Sequence, residues 1–154
     1  MKLARVIDHI RGYVEQEKVF VFSDVDADLD TSETQDYWQI TLPDSSKTYG
    51  ARIVVRASAA VTVEFYENCT ASSGTAVTAI NPHRQGSETT TIACKYNPTV
   101  TLPGTKIFEQ LTSGDEKEVA IDLFLLKPNE DYLVKVLPTA DNTKVSFAAY
   151  VYEA

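Results

Sequence analysis

A chain of 154 residues with 44% hydrophobic and 23% charged residues has the size and composition of one globular domain, able to bury about two-thirds of its extended surface. Its formal charge of −8, from 22 acidic against 14 basic residues with no long basic block, argues against nucleic acid as a partner, because phosphate binding needs facing lysines and arginines. No apolar run is long enough for a membrane-spanning helix, and the two cysteines, Cys69 and Cys94, are too few for a stapled scaffold and default to free thiols in a reducing compartment.

The chain opens differently from how it continues. Leu3, Val6, Ile7, Ile10, Tyr13 and Val14 recur at the i, i+3, i+4, i+7 spacing of one helical stripe, while Arg5, Asp8, Arg11 and Glu15 fall largely elsewhere on the wheel. The spacing predicts a short amphipathic helix over 3–16, within an arm of residues 1–17, although Gly12 weakens it by up to about 1 kcal/mol relative to alanine. Such a stripe needs burial, against its own domain or against a neighbouring subunit, which makes its six residues interface candidates. Charges interrupt the segment every few residues, so it lacks the continuous apolar stretch of a secretory signal. The chain is expected to work where it is made, or to leave the cell inside a larger assembly.

Residues 18–22 read as a strand. Asp24, Asp26, Asp28 and Asp30 then stand at alternate positions, a spacing resembling a calcium loop. The match fails in detail: counting from Asp24, the sixth position is Leu29 where glycine is wanted, and the twelfth is Gln35 where glutamate is wanted. A solvated acidic loop is the expectation, with the four carboxylates kept as a secondary calcium candidate and no cofactor otherwise implied.

The rest of the chain alternates. Trp38, Ile40 and Leu42 share one face of a strand, Ile53 and Val55 lie opposite Arg52 and Arg56, and Val61, Val63 and Phe65 lie opposite Thr62, Glu64 and Tyr66. The short stretch 57–60 suggests a hairpin between the last two of these strands. Polar, turn-rich segments surround a short strand at 76–80, and His83 and Arg84 sit in the loop that follows, as further interface candidates. Strands are expected again at 89–95, 105–111, 119–125 and 144–152. Between them, two apolar runs at 123–136 flank a corner at Pro128 and Asn129, where the chain folds back. Eight to ten short strands, regular turn signals and no helix-length pattern after residue 17 predict a mainly β fold. The expected form is a single antiparallel β-sandwich of jelly-roll or Greek-key type over 18–154, preceded by the short amphipathic helix.

Several turn and strand motifs recur in a characteristic order. They are Phe65-Tyr66-Glu67, Thr70, Gly74-Thr75, Val77-Thr78 and Ile80-Asn81 with Arg84; Asn97-Pro98-Thr99-Val100-Thr101 with Gly104-Thr105 and Ile107; Leu126-Lys127-Pro128-Asn129 with Tyr132-Leu133-Val134; and the closing Tyr150-Val151-Tyr152-Glu153. Over about 61–154 this series resembles the head decoration, or cement, proteins of tailed bacteriophages. The resemblance implies a homo-oligomeric β-sandwich, a dimer or trimer, that binds the major capsid protein on the outside of the assembled shell and stabilises it. It implies a virion location on the capsid exterior, with the host cytoplasm as the place of assembly, and it carries over no catalytic residues. The arm and the aspartate run lie outside the matched region.

Two other classes of function would need residues of a different kind. An enzyme would need one of two histidines, His9 or His83, as its base, and neither lies in a signature such as G-x-S-x-G or H-E-x-x-H. No catalytic residue is therefore assigned. A carbohydrate-binding or tail-fibre-type adhesion module would need an aromatic platform, for which Tyr66, Tyr96, Tyr150 and Tyr152 are candidates.

Overall fold

The computed structural model describes residues 16, 18–32, 36–83, 85–112 and 118–154. The predicted arm helix, with Leu3, Val6, Ile7, Ile10, Tyr13 and Val14, lies outside them except for Gln16, and so does Arg84. The described residues hold thirteen strands and no helix: β1 (Val19–Leu29), β2 (Asp36–Thr41), β3 (Tyr49–Ala57), β4 (Val61–Glu67), β5 (Thr70–Ser72), β6 (Thr75–Val77), β7 (Ala79–Ile80), β8 (Ala93–Tyr96), β9 (Thr99–Leu102), β10 (Thr105–Leu111), β11 (Glu118–Leu126), β12 (Asp131–Pro138) and β13 (Thr143–Glu153). The fold is mainly β, and every strand pairing is antiparallel.

The strands form a five-stranded sheet in the order β11-β3-β13-β1-β7, a six-stranded sheet in the order β10-β4-β12-β2-β8-β6, and a two-stranded ribbon of β5 and β9. The inward faces of the two larger sheets enclose one apolar core. The five-stranded sheet contributes Phe20, Phe22, Ile53, Val55, Phe147 and Val151, and the six-stranded sheet Trp38, Ile40, Val63, Phe65, Tyr132 and Val134. The predicted alternation therefore puts the right side chains inside. Trp38 stacks across the core on Phe147 at 4.8 Å between ring centroids, with the planes 5° apart.

Sheet membership departs from the local reading. Strands β3 and β4 are not a hairpin: β3 belongs to the five-stranded sheet and β4 to the six-stranded one, so residues 58–60 carry the chain across the core. The single strand expected at 76–80 divides in the same way, with β6 on β8 and β7 on β1. At 127–130 the chain folds back, but from one sheet to the other. That corner is held by Asn129 at φ 54°, by the Lys127 N–H donating to the buried Tyr132 hydroxyl at 2.8 Å, and by the Asn129 N–H donating to the Pro43 carbonyl at 3.1 Å. The acidic loop expected after residue 23 is instead the second half of β1, which stays paired with β13 as far as Leu29. A register shift between Leu123 and Leu126 interrupts the alternation of β11, so Leu125 is exposed and Leu126 buried.

The outward face of the five-stranded sheet is nearly free of charge along two strands. Val21, Ser23 and Val25 of β1 and Ser146, Ala148, Tyr150 and Tyr152 of β13 point outward, next to Ile80 of β7. Val25 is 67% exposed, and Tyr150 and Ile80 are each 42% exposed. Charge returns at the start of β13 with Lys144, and toward the β11 edge, where Arg52 pairs with Asp122 and Arg56 with Glu118.

Gly104 fixes the turn between β9 and β10. Its φ is +89°, and a Cβ there would lie 2.1 Å from the Glu67 carbonyl oxygen and 2.7 Å from that of Asn68. Gly104→Ala is expected to lower stability in urea unfolding by at least the ~1–3 kcal/mol of a misplaced left-handed residue, because the clash is with backbone that cannot swing away.

Candidate functional site

The alternation that builds the core also carries acids into it. Asp24 and Asp26 have the same parity as Phe20 and Phe22 on β1, and Asp36 has that of Trp38 and Ile40 on β2, so all three project between the sheets. Each finds an aromatic donor. The Trp38 indole N–H donates to Asp24 Oδ2 at 3.1 Å. The Tyr96 hydroxyl, on β8, lies 2.9 Å from Asp26 Oδ2 and 2.8 Å from Asp36 Oδ1.

One hydroxyl carries one proton, so Tyr96 cannot donate to both carboxylates at once. Asp36 is 1% exposed; Asn97 Nδ2 adds a long bond of 3.3 Å to its Oδ1, while Oδ2 has no hydrogen-bond partner. Burial is the largest influence on this carboxyl and disfavours its charge; the Tyr96 bond works the other way, and the negative charge of Asp26 reinforces burial. The net effect pushes Asp36 up to about 6, so the pair holds a proton into the weakly acidic range. Burial and the two carboxylates also raise the Tyr96 hydroxyl, which remains a donor.

Asp24 and Tyr96 also line a shallow cleft of about 300 Å³, with Ser23, Thr75–Val77, Thr78 and Ile80. The other sequence candidates do not converge on it. Asp28 is exposed and only its N–H turns back, to Asp26 Oδ1 at 2.9 Å; Asp30 accepts the Asn142 N–H at 2.8 Å, in a different loop. Among the described residues, no three His, Cys, Asp or Glu side chains are grouped to hold a metal ion. His83 lies in the loop after β7, where its N–H donates to Asn81 Oδ1 at 2.9 Å.

A second polar cluster sits on the outward face of the six-stranded sheet. Glu64 accepts the Tyr66 hydroxyl at 2.7 Å and Lys106 Nζ at 3.1 Å, with Lys135 Nζ at 3.6 Å. Burial opposes the charge of Glu64, but the bonds from Tyr66 and Lys106 and the charge of Lys135 outweigh it and hold the carboxyl below its usual value. Burial, then Glu64, push the Tyr66 hydroxyl up to about 12.

Sequence alone does not join Asp36, Tyr96 and Glu64 to a carboxylate cluster, and Tyr96 stands out there only as a platform candidate. The signal for Asp36 was present, since an aspartate two residues before Trp38 shares its inward face. Nothing local pairs it with Asp26 or Tyr96, which are 10 and 60 residues away. The chain matches no protein-family model, no curated protein and no solved structure.

Two outcomes are expected. Because the folded-state value of Asp36 lies above the ordinary 3.8, its proton stabilises the fold fully below about pH 4, and that contribution is lost as pH rises through about 6. Asp36→Asn, neutral throughout, removes this slope: its urea midpoint relative to the wild type should climb between pH 5 and pH 7. The second concerns the thiols. Cys69 and Cys94 are both free and buried, and burial, reinforced by nearby aspartates, pushes them up to about 11 and about 12. A thiol reagent at pH 8 should titrate neither in the native protein at the rate of an exposed cysteine, and both once guanidinium unfolds it.

Proposed function

We propose that this chain is a non-enzymatic structural protein that binds the outer surface of an assembled phage capsid and stabilises it, as a homo-oligomer on the major capsid protein. In this reading residues 18–154 form a single antiparallel sandwich of jelly-roll or Greek-key type. The observation that carries it is the ordered motif series over 61–154. Several of its members are the residues that set the chain's corners: Gly74, Asn97, Gly104 and Asn129 all have positive φ. A decoration protein needs a stiff scaffold with an adhesive exterior. The uncharged outward strip of Val21, Val25, Ala148, Tyr150 and Ile80 supplies such a surface, and the loop bearing His83 continues from β7 at its edge.

The tyrosines favour this over sugar binding. The hydroxyls of Tyr66 and Tyr96 are engaged by carboxylates, Trp38 is fully buried, and the Tyr152 ring lies over Gly50, where a Cβ would meet it at 2.1 Å. Of the four platform candidates, Tyr150 is the one whose exposure suits a ligand.

The test is co-sedimentation of the purified protein with undecorated heads, followed by heat and chelator challenge of the heads. Binding at about micromolar concentration, with added resistance, is expected. Val25→Glu should weaken it at least tenfold with unchanged far-ultraviolet circular dichroism. Heads that sediment without the protein at that concentration would overturn the reading.

A further inference from the structure

The six-stranded sheet has a residue buried on its outer side. Tyr132, Val134 and Val136 of β12 point into the core, so Leu133 and Lys135 point outward. Yet Leu133 is 0% exposed, and Gln39, its outward partner on β2, is 4% exposed. On a bare sheet face a central leucine flanked by polar side chains remains partly open to water.

Beside it on the same outward face stand Tyr66 of β4 and Gln39 and Tyr37 of β2. On β4 its partner is Tyr66, whose hydroxyl is held by Glu64 two residues along the same strand. The five-stranded sheet covers the opposite face. The β5–β9 ribbon leaves the sheet at its end, where the Cys69 N–H bonds the Asp131 carbonyl. Of the stretches outside the described residues, 33–35 leads into Asp36 at the far end of β2, and 113–117 runs from the β10 edge of one sheet to the β11 edge of the other. At three and five residues, each tied at both ends to described chain, they are short for covering the middle of this face.

Residues 1–15 are long enough. Hydrogen bonds from Trp38 to Asp24, and from Tyr96 to both Asp26 and Asp36, set β1 alongside β2 in opposite directions. The start of β1 therefore lies at the end of the sandwich formed by Thr41, Leu42 and Asp131, two residues from Leu133. Five residue steps from Val14 to Val19 reach about 17 Å when extended, against about 10 Å between packed sheets. The twelve residues 3–14 carry six apolar side chains at helical spacing, and as a helix they would cover about 18 Å.

We infer that the outward face of the six-stranded sheet, centred on Leu133 and Gln39, is the docking surface for this chain's own N-terminal segment, residues 1–15. The apolar stripe then belongs to its own subunit, and the uncharged face of the other sheet is left for partners. The inference does not depend on the capsid reading.

Trypsin reads it directly, because Lys2, Arg5 and Arg11 lie in the segment. With the full-length protein and intact-mass detection, Leu133→Asp should speed cleavage after Arg11 at least tenfold, with the far-ultraviolet spectrum retained. Gln39→Lys should do the same, and it carries the test if the first variant does not fold. Ala148→Asp, on the other sheet's outward face, should leave the rate unchanged. Wild-type rates in a folded Leu133→Asp or Gln39→Lys variant would overturn the assignment. So would acceleration by Ala148→Asp, or protection that disappears on dilution, which would place the segment on a second copy.

Discussion

The ring of Trp38 ties the two sheets together. It stacks on Phe147 of the facing sheet and lies 5.3 Å from the Tyr96 ring, and its one polar atom must find an acceptor in a place without water. That acceptor is Asp24. Once an acid is drawn inside to satisfy an indole, the strand that carries it brings Asp26 inward too, and Tyr96 supplies the donor that makes this tolerable. Asp36 completes the cluster with one oxygen unpaired. The core therefore ends in a seam of aromatic donors and carboxylates, which holds a proton on Asp36 into the weakly acidic range.

This seam explains why β1 stays a strand through a run of aspartates that would otherwise favour a loop. Strand propensity there is poor, but the ladder with β13 and the two aromatic donors outweigh it. Past Asp26 the pairing slips by one residue, which swings Asp28 outward and Leu29 into the core. The alternate spacing of the carboxylates is thus the period of a strand and not the geometry of an ion shell.

The two outward faces differ in a way that bears on association. One is polar at its margin, with Glu64 held among Tyr66, Lys106 and Lys135, and closed at its centre over Leu133. The other carries little charge along β1 and β13 and exposes Val25, Tyr150 and Ile80. A chain with a net charge of −8 that leaves most of the outward face of two adjacent strands uncharged has a surface suited to contact rather than to solvation.

The sequence by itself determined which side of each strand faces inward. Trp38, Ile40, Val61, Val63, Phe65, Val145, Phe147 and Val151 are buried as their alternation requires, because side-chain direction in a strand is a local property with a period of two. It also determined the corner at Asn129, where the side chain tolerates a left-handed backbone. Only the tertiary structure decided which sheet each strand joins. Residues 58–60 look like a hairpin loop locally, but β3 pairs with β11 and β13 while β4 pairs with β10 and β12, partners up to about a hundred residues away in the chain. The carboxylate seam was hidden for the same reason: an aspartate's inward parity can be read from its neighbours, but whether a distant tyrosine will meet it depends on how the sheets close.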